Sequence, residues 1–185
     1  MPSTSSREKM SAVDTAWLRM DRPHNLMVIC GVLLFHESVE LKRVRELVRQ
    51  RFLVFSRFKQ RAVAAPGGVF WETEPHFDLR RHVVASRLPG RAGQSELQRY
   101  VSKLIATPLP PMRPMWQFHL IANYGGGSAL IARIHHCYAD GMALVRVMLS
   151  MTDAAPPQCR LPRRHPRAGN RIARQRRRRT RWTPC

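Results

Sequence analysis

Residues 128–151 read Ser-Ala-Leu-Ile-Ala-Arg-Ile-His-His-Cys-Tyr-Ala-Asp-Gly-Met-Ala-Leu-Val-Arg-Val-Met-Leu-Ser-Met, and this stretch decides the fold. Ala129 to Ile134 is rich in aliphatic and β-branched residues and predicts a buried strand. His135 and His136 stand at its end. Cys137 to Gly141 is a tight connection with Asp140 and Gly141 as its turn signal. Met142 to Met151 is apolar nearly all round, interrupted only by Arg146 and Ser150, which predicts a buried helix with Asp140 placed to cap it. Strand, turn and helix together would hold an imidazole rigidly.

Adjacent strand residues point to opposite faces, so only one of His135 and His136 can look into a given cleft. An imidazole near its ordinary pKa can take a proton at neutral pH, which makes the pair a candidate general base. Asp140 can sit under the turn and hold it, or orient a ring. The same residues admit other readings. A histidine among apolar neighbours can be a satisfied core residue, and two histidines with an aspartate can ligate a metal. Neighbouring side chains on one strand diverge, and the sequence shows no second ligand cluster, so no metal is expected. Cys137 beside two imidazoles could be a nucleophile. It lies in no local cysteine-hydrolase signature and is expected to be inert.

Working outward, Met115–Tyr124 and Ser128–Ile134 form a hairpin around Gly125-Gly126-Gly127. These glycines have neither the spacing nor the following helix of a phosphate loop. Pro108 to Pro114 is too proline-rich for helix or central strand. Ser95 caps a helix to Ala106, and Val69–Glu74 and His82–Leu88 are strands. Val39–Phe55 is an amphipathic helix with Leu41, Val44, Leu47, Val48 and Phe52 on one stripe. Its basic residues (Lys42, Arg43, Arg45, Arg49, Arg51) read as a solvated face. Leu26–Phe35 reads as a central strand buried on both faces, with Gly31 marking close approach of another segment. Ser11, three residues before Asp14, starts a helix over Ala12–Met20. Asp21-Arg22-Pro23-His24 ends that helix, and His24 reads as a loop histidine. The order β-α-β-β-α-β-β-α predicts an α/β domain with a mixed sheet flanked by helices.

His135-His136-Cys137-Tyr138-Ala139-Asp140-Gly141 matches the HHxxxDG motif of the CoA-dependent acyltransferase superfamily. Two more segments narrow the match. Pro108-Leu-Pro-Pro-Met-Arg-Pro-Met-Trp116 resembles the PLxxxRPLW segment of bacterial wax ester synthase/diacylglycerol acyltransferases, and Met10-Ser-Ala-Val-Asp-Thr-Ala-Trp-Leu18 resembles their start. The resemblance runs from residue 10 to about 153 and corresponds to the N-terminal half of that family. Gln117 departs from it, since the family often has Glu after the tryptophan. The resemblance implies a chloramphenicol-acetyltransferase-like domain and acyl transfer from acyl-CoA to diacylglycerol or a long-chain alcohol. On that basis His136 is the general base, His135 packs or orients, and Asp140 braces the loop, with Arg113 its expected partner. Gly141 permits the turn and lets backbone or substrate approach. No cofactor is implied; acyl-CoA is a substrate.

The 185 residues are 44% hydrophobic and fit one domain of ordinary globular composition. The four cysteines show no paired spacing and fit a reduced thiol set. The first ten residues are polar, unlike a secretory leader, and the longest apolar run is too short for a bilayer span. These features predict a cytoplasmic protein, at most peripheral on the inner membrane face or on lipid inclusions. The net charge of +20 divides unevenly. Residues 1–153 hold 21 Lys and Arg against 12 Asp and Glu, whereas residues 154–185 hold 11 Arg and no acid. The moderately basic body suits acyl-CoA phosphates and anionic head groups. The Arg/Pro-rich tail predicts a disordered segment that is linker, or out-of-frame translation of GC-rich DNA. As a functional element it would be an arm for nucleic acid or anionic membranes; nucleic acid is not the expected partner. With the family's second half absent, this reading predicts a truncated chain of weak or no activity. An exposed apolar face and self-association would follow.

Overall fold

The structure is a computed structural model, and it describes residues 7–139 and 141–152. The elements are β1 Glu8–Lys9, α1 Ala12–Met20, β2 Val28–Phe35, α2 Leu41–Leu47, β3 Gln60–Ala65, β4 Gly68–Thr73, α3 Leu79–His82, β5 Val83–Ser86, α4 Gln94–Ile105, β6 Trp116–Tyr124, β7 Gly127–His135 and α5 Gly141–Ser150. They form a mixed four-stranded sheet of order β2-β7-β6-β5 and a three-stranded sheet of order β1-β4-β3. The expected mixed α/β architecture is present.

β7 carries the fold. All nine of its residues are buried, and it pairs antiparallel with β2 on one side and β6 on the other. The β6–β7 hairpin turns on Gly125 and Gly126, whose φ of 54° and 84° suit glycine. At Gly127 a Cβ would lie 2.1 Å from the Phe35 carbonyl oxygen, so only glycine lets β2 lie this close. Alternation along β7 divides the core. Leu130, Ala132 and Ile134 face a large aromatic cluster with Phe52, Phe58, Trp71, Trp116 and Phe118. Ala129 and Ile131 face a smaller cluster under α4, with Tyr100, Val101 and Leu104.

Helix α1 has the bounds expected, with Ser11 Oγ accepting from Asp14 N–H at 3.0 Å. Helix α2 runs into a π-turn over Val48–Phe52, closed by Leu53 N–H on the Val48 carbonyl at 2.9 Å. This extra residue per turn buries Val48 and Phe52 completely.

Several expectations fail for physical reasons. β2 is an edge strand, not a central one: Val32 and Leu34 are 42% and 56% exposed. A Cβ at Gly31 would meet nothing within 4 Å among the described residues, so none of their segments crowds it. β3 stands where no strand was expected, because Gln60-Arg-Ala-Val-Ala-Ala65 lacks strand-forming bulk; its Arg61 pairs with Glu72 on β4 and with Glu74 just past its end. α4 is capped at Gly93, whose N–H reaches Glu96 Oε2 at 2.9 Å, not at Ser95. Arg45 is more than a solvated charge, since its guanidinium donates twice to the Val83 carbonyl at 3.1 and 3.0 Å and ties α2 to β5. α5 buries only Leu144 and Val147; Met142, Val145 and Leu149 stand out to solvent. The tail from residue 153 lies outside the described residues. Among the described residues no helix is long and apolar enough to cross a membrane.

Candidate active site

The two histidines leave β7 in different directions. His135 is 1% exposed. Its Nδ1 accepts the Cys137 N–H at 3.1 Å, which leaves the ring proton on Nε2, 3.6 Å from Asp21 Oδ2. Asp21 is fixed in turn: its Oδ1 accepts the Met27 N–H at 2.7 Å. Burial pushes the His135 pKa below the ordinary imidazole value; Asp21 opposes the shift without reversing it. His135 is therefore a neutral ring at neutral pH, its Nδ1 engaged and its Nε2 enclosed near Asp21 without a hydrogen bond among the described residues.

His136 is half-buried. Its backbone N–H is held by the Met27 carbonyl at 2.8 Å, and its ring lies flat on Trp17 of α1, with centroids 4.0 Å apart and planes 17° off parallel. Its Nδ1 is enclosed and has no hydrogen-bond partner among the described residues. Of the pair, this ring is the half-buried one, held by stacking and by its backbone. Strand alternation alone divides the roles of two identical residues.

The turn after them is anchored by Tyr138. Its hydroxyl donates to the Gln60 carbonyl at 2.7 Å and accepts the Met115 N–H at 3.0 Å, bolting the small sheet to the large one. The Tyr138 ring lies stacked 6.0 Å from Phe58 and edge-on 4.9 Å from Trp71. Cys137 is 1% exposed and burial drives its thiol pKa far up, so it forms no thiolate and no nucleophile.

Asp140 lies outside the described residues, so the expected Arg113–Asp140 brace does too. Arg113 is exposed, its N–H closes a turn on the Pro110 carbonyl at 3.3 Å, and its charge helps hold the His82 pKa down after burial, the larger cause. At Gly141 φ is not in the left-handed region and a Cβ would meet nothing among the described residues, so the turn itself does not demand glycine. His24 is exposed in its loop. Among the described residues no group of three or more His, Cys, Asp or Glu is placed to hold a metal ion. Two site residues were not foreseen: Trp17, which was placed on α1 without a role, and Asp21, 114 residues before His135. No spacing rule links them to the motif; only the resemblance at Met10–Leu18 marks that region.

Solved structures define the class first. The starter condensation domain of rhizomide synthetase superposes with a TM-score of 0.63 over 80% of this chain and 38% of that one, at 16% identity, and so shows the fold. The wax ester synthase/diacylglycerol acyltransferase from Marinobacter aquaeolei VT8 superposes with a TM-score of 0.66 at 26% identity, over 75% of this chain and 35% of that one. The chain thus has the α/β fold shared by condensation domains and these acyltransferases.

The chain belongs to the wax ester synthase/diacylglycerol acyltransferase catalytic domain family, whose model matches residues 10–184. A "Putative diacyglycerol O-acyltransferase" of Mycobacterium bovis is 39% identical over 107 residues, 57% of this chain and 21% of the relative. A "Probable diacyglycerol O-acyltransferase" of Mycobacterium tuberculosis is 30% identical over 151 residues, 78% of this chain and 33% of the relative. The chain spans between a fifth and a third of the length of these relatives.

Proposed function

We propose that the chain serves acyl transfer from acyl-CoA to the hydroxyl of diacylglycerol or of a long-chain alcohol, with His136 as general base. The observation that carries this reading is the contrast within the histidine pair. His135 is sealed, 1% exposed, with Nδ1 engaged by the Cys137 N–H and Nε2 facing Asp21 at 3.6 Å, whereas His136 is half-buried and stacked on Trp17 with its Nδ1 free of any hydrogen bond among the described residues. The His136 ring, through Nε2, takes the proton of the acceptor hydroxyl as its oxygen attacks the thioester carbonyl. The C–S bond then breaks, and the same proton goes to the departing CoA thiolate. Asp21 and His135 hold the strand end, Trp17 fixes the ring plane, and Asp140 with Arg113 braces the loop. Neither an acyl-enzyme nor a metal is required by this scheme. The acceptor's chemistry places the reaction at a membrane or lipid-inclusion surface, served from the cytoplasm.

The test is a radiolabelled acyl-CoA assay with diacylglycerol and with hexadecanol. It is run on this chain and, in parallel, on a full-length family member carrying the matching substitution. His136→Gln is expected to lower turnover at least a hundredfold, at the lower end of general acid–base contributions. A purified, folded His136→Gln enzyme of the longer relative with full turnover removes the base assignment.

A further inference from the structure

A recess of 580 Å³ lies against the outer face of α1. Ala12, Thr15, Ala16 and Arg19 line it, and their spacing puts them on one stripe of the helix. Asp14, Trp17 and Leu18 stand on the opposite stripe, where Trp17 stacks on His136 and Leu18 packs on the aromatic core. The inner face of α1 thus serves the histidine pair, and acyl transfer gives the outer face no role. Gly67, Gly68 and Val69 of the β3–β4 hairpin line the recess from the small sheet. Met10 joins the two sides: it is 5% exposed, and its N–H bonds to the Val69 carbonyl at 2.9 Å. The volume falls in the range of small-molecule sites, roughly 300–1,000 Å³.

Two cations, Lys9 and Arg19, open into this one space. Neither has a hydrogen bond or ion pair among the described residues, and no acidic side chain among them lines the recess. The nearest carboxylates in sequence are turned away. Glu8 precedes Lys9 on β1, so it points to the other face, where it pairs with Arg57 at 2.8 Å. Asp14 is on the inner stripe of α1. Arginines on other helices do find partners: Arg49 takes Glu46 at 2.7 Å and Arg99 takes Glu96 at 2.8 Å. The Lys9 stem runs across Gly68, where a Cβ would stand 3.6 Å from Lys9 Cε. Between the charges the lining is apolar, with Ala12, Ala16 and Met20 on one side and Met10 and Val69 on the other.

We propose that the recess between α1 and the β3–β4 hairpin binds a fatty acid anion, a carboxylate on an aliphatic chain. A small anion alone would have no use for the apolar strip, and a neutral lipid none for the cations. Arg19 takes the carboxylate with its planar fork, and the Thr15 hydroxyl, one turn before it on the same stripe, donates to the same group. The chain runs from there along Ala16 and Ala12 toward Met10 and Val69, roughly 10 Å along the helix axis from Arg19 to Ala12. Lys9 supplies the second positive charge and lays its methylene stem over the chain. The site is separate from the histidine pair and stands whether or not acyl transfer is the activity.

The test is isothermal titration calorimetry of the 185-residue chain with sodium decanoate, kept below its micelle concentration. Saturable binding is expected. Sodium acetate, a head without a chain, and decanol, a chain without a head, are each expected to bind at least roughly tenfold more weakly. Either of them binding as well as decanoate removes half of the argument and overturns the proposal. Ala16→Glu sets an acid three residues from Arg19 at an exposed helix position, and is expected to weaken decanoate at least roughly tenfold. Lys9→Gln combined with Arg19→Gln, also at exposed positions, is expected to do the same and leaves the helix without a new charge. The arginine tail and the other apolar surfaces are unchanged in both variants. Decanoate binding undiminished in either one therefore lies elsewhere on the molecule and overturns the proposal, as does a wild-type chain that binds no decanoate.

Discussion

The two faces of β7 achieve burial by opposite means. One sets Leu130, Ala132 and Ile134 against stacked and edge-on rings: Phe52 lies 3.9 Å from Phe58 and 4.8 Å from Trp116, centroid to centroid. The other buries Arg133 and His135 under α4 and beside Asp21. The aromatic face is stable through area and shape, under any conditions that keep water cohesive. The polar face is stable only while each proton is in its place. The same strand can carry both because alternation keeps them apart.

The largest blow to the aromatic face is Trp116→Ala. Trp116 is fully buried, stacks on His82 at 4.4 Å, and donates its Nε1–H to the Phe58 carbonyl at 2.8 Å. Urea unfolding is expected to register a loss of about 3–5 kcal/mol. A loss under 1 kcal/mol would mean that the cluster repacks and the contrast between the faces is overdrawn.

The polar face is expected to fail in acid. Burial lowers the His119 pKa to about 4, and also lowers those of His135 and His82. The unfolded chain takes up these protons near the ordinary imidazole value while the folded chain does not. Stability is therefore complete above about pH 6.5 and is lost progressively as pH falls toward about 4, on the order of 3 kcal/mol for His119. Unfolding midpoints measured across that range should flatten in His119→Gln. An unchanged slope would show that this ring does not carry the effect.

A smaller loss, about 1 kcal/mol, is expected for Tyr100→Phe, which deletes the hydroxyl between Ser86 and His119. The smallest belongs to neither face. Leu149→Ser on the exposed side of α5 should leave the unfolding midpoint within about 0.5 kcal/mol. A large loss there would mean that α5 is packed more tightly than the structure shows.

The sequence made the aromatic face legible and the polar one illegible. Hydrophobic runs and turn glycines predict the β6–β7 hairpin, and Ser11 with Asp14 predicts α1 to the residue. The histidine pair stood out by residue type, and alternation said that the two would part. What was missed depends on partners distant in sequence. An apolar run looks the same in an edge strand as in a central one, so β2 was misplaced. β3 exists through its backbone ladder with β4, a pairing that no local pattern in Gln60–Ala65 encodes. Asp21 serves His135 across 114 residues. Gln117 was visible as a departure from the resembled family, but only the register shows that it faces Arg133. The reading of Asp140 rests on a residue outside the structure's description.

The strand that presents His136 is also the one flanked on both edges and covered on both faces. Its amides can exchange with deuterium only when the whole sheet comes apart, never by local fraying. The bearing of the His136 ring is thereby tied to global unfolding. Warming the protein will not gradually blur the aim of the imidazole; it will keep its direction until the sheet melts.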